Sequence, residues 1–130
     1  MTRRIWITLL LAFPLAASIT PLFAHHSSAP YDVANVVTLK GTVTGLDWRN
    51  PHVRIHLNVP DANGKILNWD VETWGTGQMS LRGITNGFLK PGDPVSLDVF
   101  VAKDGGLRAL VHMLTLPDGR KVDGPPIDIR

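Results

Sequence analysis

The chain contains no cysteine, so neither a disulfide nor thiolate chemistry is available to it. It also lacks a Ser-His-Asp arrangement, a phosphate-binding loop and a dinucleotide fingerprint. No run of basic residues is present either. These absences remove the motifs on which most enzyme assignments from sequence depend, and they favour a binding or accessory role.

The first 24 residues have the pattern of a secretory signal peptide, with Arg3 and Arg4 at a positive start and an uncharged, mostly apolar run behind them. We expect cleavage after Ala24, which predicts a periplasmic protein without a membrane span in its mature chain. Cleavage after Ser18 and retention as an uncleaved anchor are the alternatives.

The expected mature chain has no net charge. The whole chain has 13 Lys plus Arg, and removing the two arginines of the leader leaves 11 against 11 Asp plus Glu. A neutral domain without a basic run gives no support for nucleic-acid binding. The remaining length suits a single domain with one modest core.

Four segments show the alternation of apolar and polar residues that is typical of β-strands: residues 37–48, 53–59, 65–73 and 95–101. A fifth segment, residues 107–116, is apolar on both faces, which indicates a central or covered strand. The alternation slips at Gly45, which predicts a β-bulge and a long, curved first strand. Between the third and fourth segments, Met79 and Ile84 have helical spacing, and Thr76 is the candidate cap of a short helix.

Three strands, a short helix and two more strands match a small five-stranded Greek-key barrel of the OB type, mainly β in class. An antiparallel β-sandwich is the alternative, because alternation alone does not separate the two. We place the barrel at residues 37–121. An extended arm at residues 25–36 precedes it, and a loose tail at residues 122–130 follows it.

The expected mature N-terminus is a candidate copper site. Cleavage after Ala24 would give His25 a free α-amine beside its imidazole, and two such nitrogens can chelate Cu(II). One more imidazole would complete the T-shaped set called a histidine brace, and His26 is a candidate further ligand. The alternative interpretation is a solvated, flexible arm.

His52 and His56 are candidate donors of the additional imidazole. They lie on one face of one strand with Cα atoms ~13 Å apart. Because metal–nitrogen bonds are only ~2 Å long, we do not expect them to share an ion. We prefer His52, which follows a Pro turn at the strand entrance. We expect His112, inside an apolar strand, to be a partly buried imidazole.

Trp48 and Arg54 flank the same turn as His52. An aromatic and basic face of this kind can bind a small anionic or sugar-like ligand. The competing interpretation is that Trp48 and Trp74 close the ends of the barrel as core residues.

Asp70 and Glu72 share one strand face at a separation of ~7 Å. That distance falls within the range of the carboxylate pairs of sugar hydrolases. A solvated strand face, with Glu72 paired to Arg54 across strands, is the simpler interpretation.

Several motifs occur together in one order: His25-His26-Ser27, Trp48-x-Asn50-Pro51-His52, Trp69-x-x-Glu72, Leu89-Lys90-Pro91-Gly92-Asp93 and Thr115-Leu116-Pro117-Asp118-Gly119-Arg120. In this set the chain resembles a family of small exported bacterial proteins classed as a domain of unknown function. The resemblance covers nearly the whole mature chain. It implies a compact, β-rich periplasmic domain, and it implies no activity, ligand or catalytic residue.

The sequence therefore predicts a non-enzymatic periplasmic binding or accessory module. Its most specific form binds copper through His25 with help from His26 or His52. A metal-free module that binds a small ligand or a protein through the face around Trp48 and Arg54 is the first alternative. A metal-dependent enzyme is the second.

Overall fold

The computed structural model describes residues 30–127. The predicted signal peptide, the part of the predicted arm that contains His25 and His26, and the end of the predicted tail lie outside these residues.

The described fold consists of strands and one short helix: β1 (Val37–Asp47), β2 (Arg54–Pro60), β3 (Ile66–Glu72), α1 (Thr76–Leu81), β4 (Pro94–Val101), β5 (Arg108–Thr115) and β6 (Lys121–Asp123). The five predicted strands are confirmed, each within one residue at either end. No helix within residues 30–127 has the length and apolar character needed to cross a membrane.

The strands close into a barrel. Their order is β3-β2-β1-β4-β5-β6, and β3 also pairs with β5. The β3–β5 pairing is parallel, whereas the other neighbours are antiparallel. With α1 between β3 and β4, this is the OB-type barrel predicted from the sequence, with β6 added at its edge. The sandwich alternative is wrong because the β3–β5 pairing closes strands β1 to β5 into one barrel.

A bulge in β1 allows that strand to pair with two different neighbours, β4 and β2. Its first half pairs with β4 and its second half pairs with β2. The register with β2 shifts between Val43 and Gly45, which confirms the predicted bulge. A bulge increases the bend and twist of a strand, so β1 can turn from one neighbour to the other.

The barrel interior holds the apolar residues whose alternation marked the strands. Those exposed by 1% or less include Val43, Val53, Ile55, Leu57, Val71, Leu97, Val99, Ala109, Val111 and Leu114. Met79 of α1 joins the same cluster. Full burial of a side chain such as Leu57 contributes about 1.5–3 kcal/mol relative to leaving it exposed.

The chain beyond residue 121 is more ordered than the sequence predicts. β6 pairs with β5, and Val122, opposite Leu114, is only 8% exposed. Gly124 N donates to His112 O at 2.9 Å. A Cβ on Gly124 would lie 1.8 Å from the carbonyl oxygen of Val111, so the close approach requires glycine. The expectation of a loose tail from residue 122 is wrong for residues 122–125, because one apolar residue in a three-residue strand gives no periodic signal.

Candidate functional site

The loop between β1 and β2 is fastened to the start of α1. Asn50 Oδ1 accepts hydrogen bonds from Thr76 N at 3.0 Å and from Thr76 Oγ1 at 2.9 Å. The predicted cap at Thr76 is wrong, since Gly75 occupies the N-cap position without a side-chain cap. A side chain from a distant loop supplies the acceptor that this helix start needs. A Cβ on Gly75 would lie 2.6 Å from Pro51 O, so the loop packs tightly there.

His52 lies beside Glu72, and its Nδ1 contacts Glu72 Oε1. The pairing of β2 with β3 ends at Arg54 and Glu72. Beyond the strands, Val53 continues the same hydrogen-bond pattern with Thr73 and Trp74. His52 is therefore a diagonal neighbour of Glu72 on the same face, at a distance that long side chains span. Both side chains are mostly covered, with 21% and 17% of their surfaces exposed.

Arg54 is enclosed by carboxylates. Its Nη1 lies 2.7 Å from Asp70 Oδ2, and its Nη2 lies 3.6 Å from Glu72 Oε2. The predicted pairing of Arg54 with Glu72 across the two strands is confirmed. Asp70 and Glu72 thus serve as partners of a cation, as the simpler interpretation of the sequence predicted. The solvated face of that interpretation is not found at Glu72, whose side chain is mostly covered.

Tyr31 connects the segment before β1 to the face formed by β2 and β3. The sequence did not predict this contact. Its hydroxyl donates to Glu72 Oε2 at 3.4 Å, and its backbone forms a bridge with Ala102. Burial, followed by the nearby Glu72 carboxylate, raises the pKa of Tyr31 above its usual 10.0. The only available signal was that Tyr31 is the single tyrosine of the chain.

His56 lies on the same face as His52 but has different partners. Its Nε2 lies 3.4 Å from Asp47 Oδ2, and its Nδ1 lies 3.9 Å from Asp70 Oδ1. The hydrogen bond from His56, together with the charge of Arg49, holds the pKa of Asp47 below its usual value. Within residues 30–127, no group of three or more His, Cys, Asp or Glu residues is arranged to hold a metal ion.

The two tryptophans that flank the site, Trp48 and Trp74, both pack against the hydrophobic core. Trp48 packs against the core and meets Phe88 edge to face, with ring centroids 6.2 Å apart. Trp74 also packs against the core, its Nε1 donates to Asp123 O at 2.8 Å, and Arg82 stacks over its ring at 4.0 Å. These contacts agree with the interpretation of both rings as closing the barrel.

His112 is exposed, so the prediction of a partly buried imidazole is wrong. The register between β4 and β5 moves from the pair Asp98 and Met113 to the pair Val99 and Val111. This irregularity leaves His112 without a pairing position. Its ring lies outside the core against Phe100, with centroids 5.0 Å apart.

Two cavities mark this region of the surface. An open cleft of about 350 Å³ is lined by Arg49, Asn50, Pro51, His52 and Arg54. A smaller cavity of about 40 Å³ is lined by Tyr31, Arg54, Asp70, Glu72 and Arg108. OB-type barrels bind their ligands on the β2–β3 face, between the loop that joins β1 to β2 and the loop that joins β4 to β5. The smaller cavity lies on that face, and the larger cleft is formed by the loop between β1 and β2 at its edge.

The fold and this face define a small OB-type barrel protein with a charged β2–β3 surface. Residues 12–111 match a family of unknown function, DUF6152, and the chain belongs to that family. Neither a curated protein nor a solved structure matches the chain significantly.

Proposed function

We propose that the protein is an exported, non-enzymatic module that binds copper. In this proposal the mature N-terminus supplies the α-amine and ring of His25, the barrel supplies the ring of His52, and His26 is a further ligand. The observation that carries the proposal is the contact between Glu72 Oε1 and His52 Nδ1.

A carboxylate on one ring nitrogen is the usual support of a metal-binding histidine. Such a carboxylate fixes the orientation and tautomer of the ring and makes the opposite nitrogen a better ligand. In His52 the carboxylate of Glu72 contacts Nδ1. The proposal assigns copper to the other ring nitrogen, Nε2. Imidazole and amine nitrogens together suit Cu(II).

The path of the chain before β1 also supports the proposal. Asp32 N donates to Val101 O at 2.8 Å, and Lys103 N donates to Pro30 O at 2.9 Å, so the arm is held where it reaches the barrel. Tyr31 and His52 contact the two oxygens of the same Glu72 carboxylate. His25 precedes Tyr31 by six residues, and six extended residues span up to about 20 Å. The proposal requires the ring of His52 to lie within that reach of Tyr31, which their shared contact with Glu72 favours.

Copper titration of processed protein that begins at His25 tests the proposal. We expect one tight equivalent of Cu(II) in the unmodified protein, and affinity at least about tenfold lower in His25→Ala and in His52→Ala. His56→Ala is the matched control, because His56 is also an imidazole beside carboxylates on the same face. It should bind copper as the unmodified protein does.

Two results of this titration would contradict the proposal. One is that His52→Ala binds copper as tightly as His56→Ala does. The other is that the unmodified protein binds no more tightly than His25→Ala. The second result would favour the competing candidate, a metal-free module that uses the face around Arg54. The open cleft of about 350 Å³ favours that candidate, whereas the packing of Trp48 against the core argues against an aromatic platform.

A further inference from the structure

We propose that the cleft formed by the loop between β1 and β2 binds a small anion that carries a phosphate or carboxylate group, independently of any metal. The cleft lining contains two arginines, an asparagine, a proline and a histidine, and no acidic residue. The nearby carboxylates of Asp70 and Glu72 line the smaller cavity instead. The lining of the larger cleft thus presents hydrogen-bond donors and two guanidinium groups. The carboxylates that pair with these two arginines lie outside that lining.

Arg49 provides the accessible charge. Its side chain is 71% exposed, and its Nη2 donates to Asp47 Oδ2 at 2.8 Å. A guanidinium carries five N–H donors in a planar fork, and bidentate contacts with carboxylate or phosphate use two of them. Among residues 30–127, Asp47 is the one side chain paired with Arg49, so no other described side chain uses the remaining donors of Arg49.

Asn50 adds a donor whose position is fixed. Its Oδ1 accepts two hydrogen bonds from Thr76, so the orientation of the amide group is set by α1. The Nδ2 atom then carries two N–H donors, and no acceptor within residues 30–127 is hydrogen-bonded to it. A donor held in place before the ligand arrives loses less entropy on binding.

Arg54, which also lines the cleft, is held by two carboxylates. Its contacts with Asp70 and Glu72 hold the guanidinium in place. The volume of about 350 Å³ lies at the lower end of the range for ligand pockets. The cleft therefore suits inorganic phosphate or a short organic acid better than a polymer.

The test is a titration of the full mature protein, freed of metal on a chelating resin, with inorganic phosphate and separately with citrate. Amide and arginine side-chain NMR shifts report binding at the cleft. We expect saturable shifts at residues 49–54 with at least one of the two ligands, and the comparison of the two distinguishes a phosphate ligand from a carboxylate ligand. Arg49→Gln should raise the dissociation constant about tenfold, with Arg49→Lys in between.

Arg120→Gln is the matched control, because Arg120 also pairs with an aspartate two residues before it, Asp118, at 2.9 Å. It should bind the ligand as the unmodified protein does. Equal dissociation constants for Arg49→Gln and Arg120→Gln would overturn the proposal, as would the absence of saturable shifts with both anions. Because the protein is metal-free in this experiment, neither result bears on the copper proposal.

Discussion

Glu72 Oε1 contacts Nδ1 of His52 on the face that β2 and β3 share. The other oxygen of the same carboxylate, Oε2, accepts a hydrogen bond from Tyr31. Glu72 thus links Tyr31, in the segment before β1, to His52 at the entrance of β2. The His52 ring and the Tyr31 hydroxyl therefore share one carboxylate as a partner.

Removal of the Glu72 carboxylate should weaken copper binding without removing a proposed ligand. Glu72→Ala is expected to lower the affinity for Cu(II) about 10–100-fold, because the carboxylate no longer orients the His52 ring. Glu72→Gln should lose less, since its amide oxygen can still accept a hydrogen bond. Titration of both variants measures the effect. Asp70→Asn is the control, because Asp70 lies on the same strand face and pairs with Arg54. An affinity in Glu72→Ala equal to that of the control would argue against the role of Glu72.

The Tyr31 hydroxyl should titrate above pH 10.0, because burial and the Glu72 carboxylate both disfavour the phenolate and raise its pKa. Absorbance of the phenolate measures this directly, since Tyr31 is the single tyrosine. Glu72→Gln should bring the midpoint down. For a raised pKa, the stabilising contribution is complete below the unfolded pKa and is lost as the pH rises through the folded pKa. Tyr31→Phe should therefore lose less stability than the unmodified protein above pH 10.0. A midpoint at or below 10.0 would contradict the contact with Glu72.

Alanine at Gly75 should destabilise the protein, whereas alanine at Gly77 should not. A Cβ on Gly75 would lie 2.6 Å from Pro51 O and 3.0 Å from Asn50 Oδ1, so the loop must shift. We expect a loss of about 1–3 kcal/mol in the free energy of unfolding. A Cβ on Gly77 would meet nothing within 4 Å, and alanine within a helix gains about 0.5–1 kcal/mol over glycine. Urea unfolding of both variants checks this, and equal stabilities would show that the loop is not packed as described.

Val122→Ala should reveal that the chain beyond residue 121 contributes to stability. Val122 is 8% exposed, and loss of its two methyl groups should cost about 1–3 kcal/mol. Val36→Ala makes the same chemical change at a residue that is 51% exposed, so it should change the stability much less. Thermal unfolding compares the two. A loss in Val122→Ala no greater than in Val36→Ala would favour a loose tail.

The strands were predictable because apolar and polar residues alternate along a half-buried strand. Val53, Ile55 and Leu57 point inward between polar residues, and the structure buries all three. The break at Gly45 likewise carried enough information to predict the bulge. These features are local, so a single sequence contains them.

The site was less predictable because its contacts join distant segments. The contact of Tyr31 with Glu72 spans 41 positions in the sequence, and that of Thr76 with Asn50 spans 26. Neither contact has a periodic signature, since each depends on how the barrel closes. The exposure of His112 also escaped prediction, because the register irregularity beside it arises from pairing with β4.

Intact-mass determination of the exported protein, with and without copper and under native and denaturing conditions, tests the central claim most directly. We predict a chain that begins at His25 and retains one copper ion under native conditions, and the loss of that ion in His52→Ala but not in His56→Ala. A mature chain that begins at another residue, or one that begins at His25 and retains no copper, would contradict the proposed site.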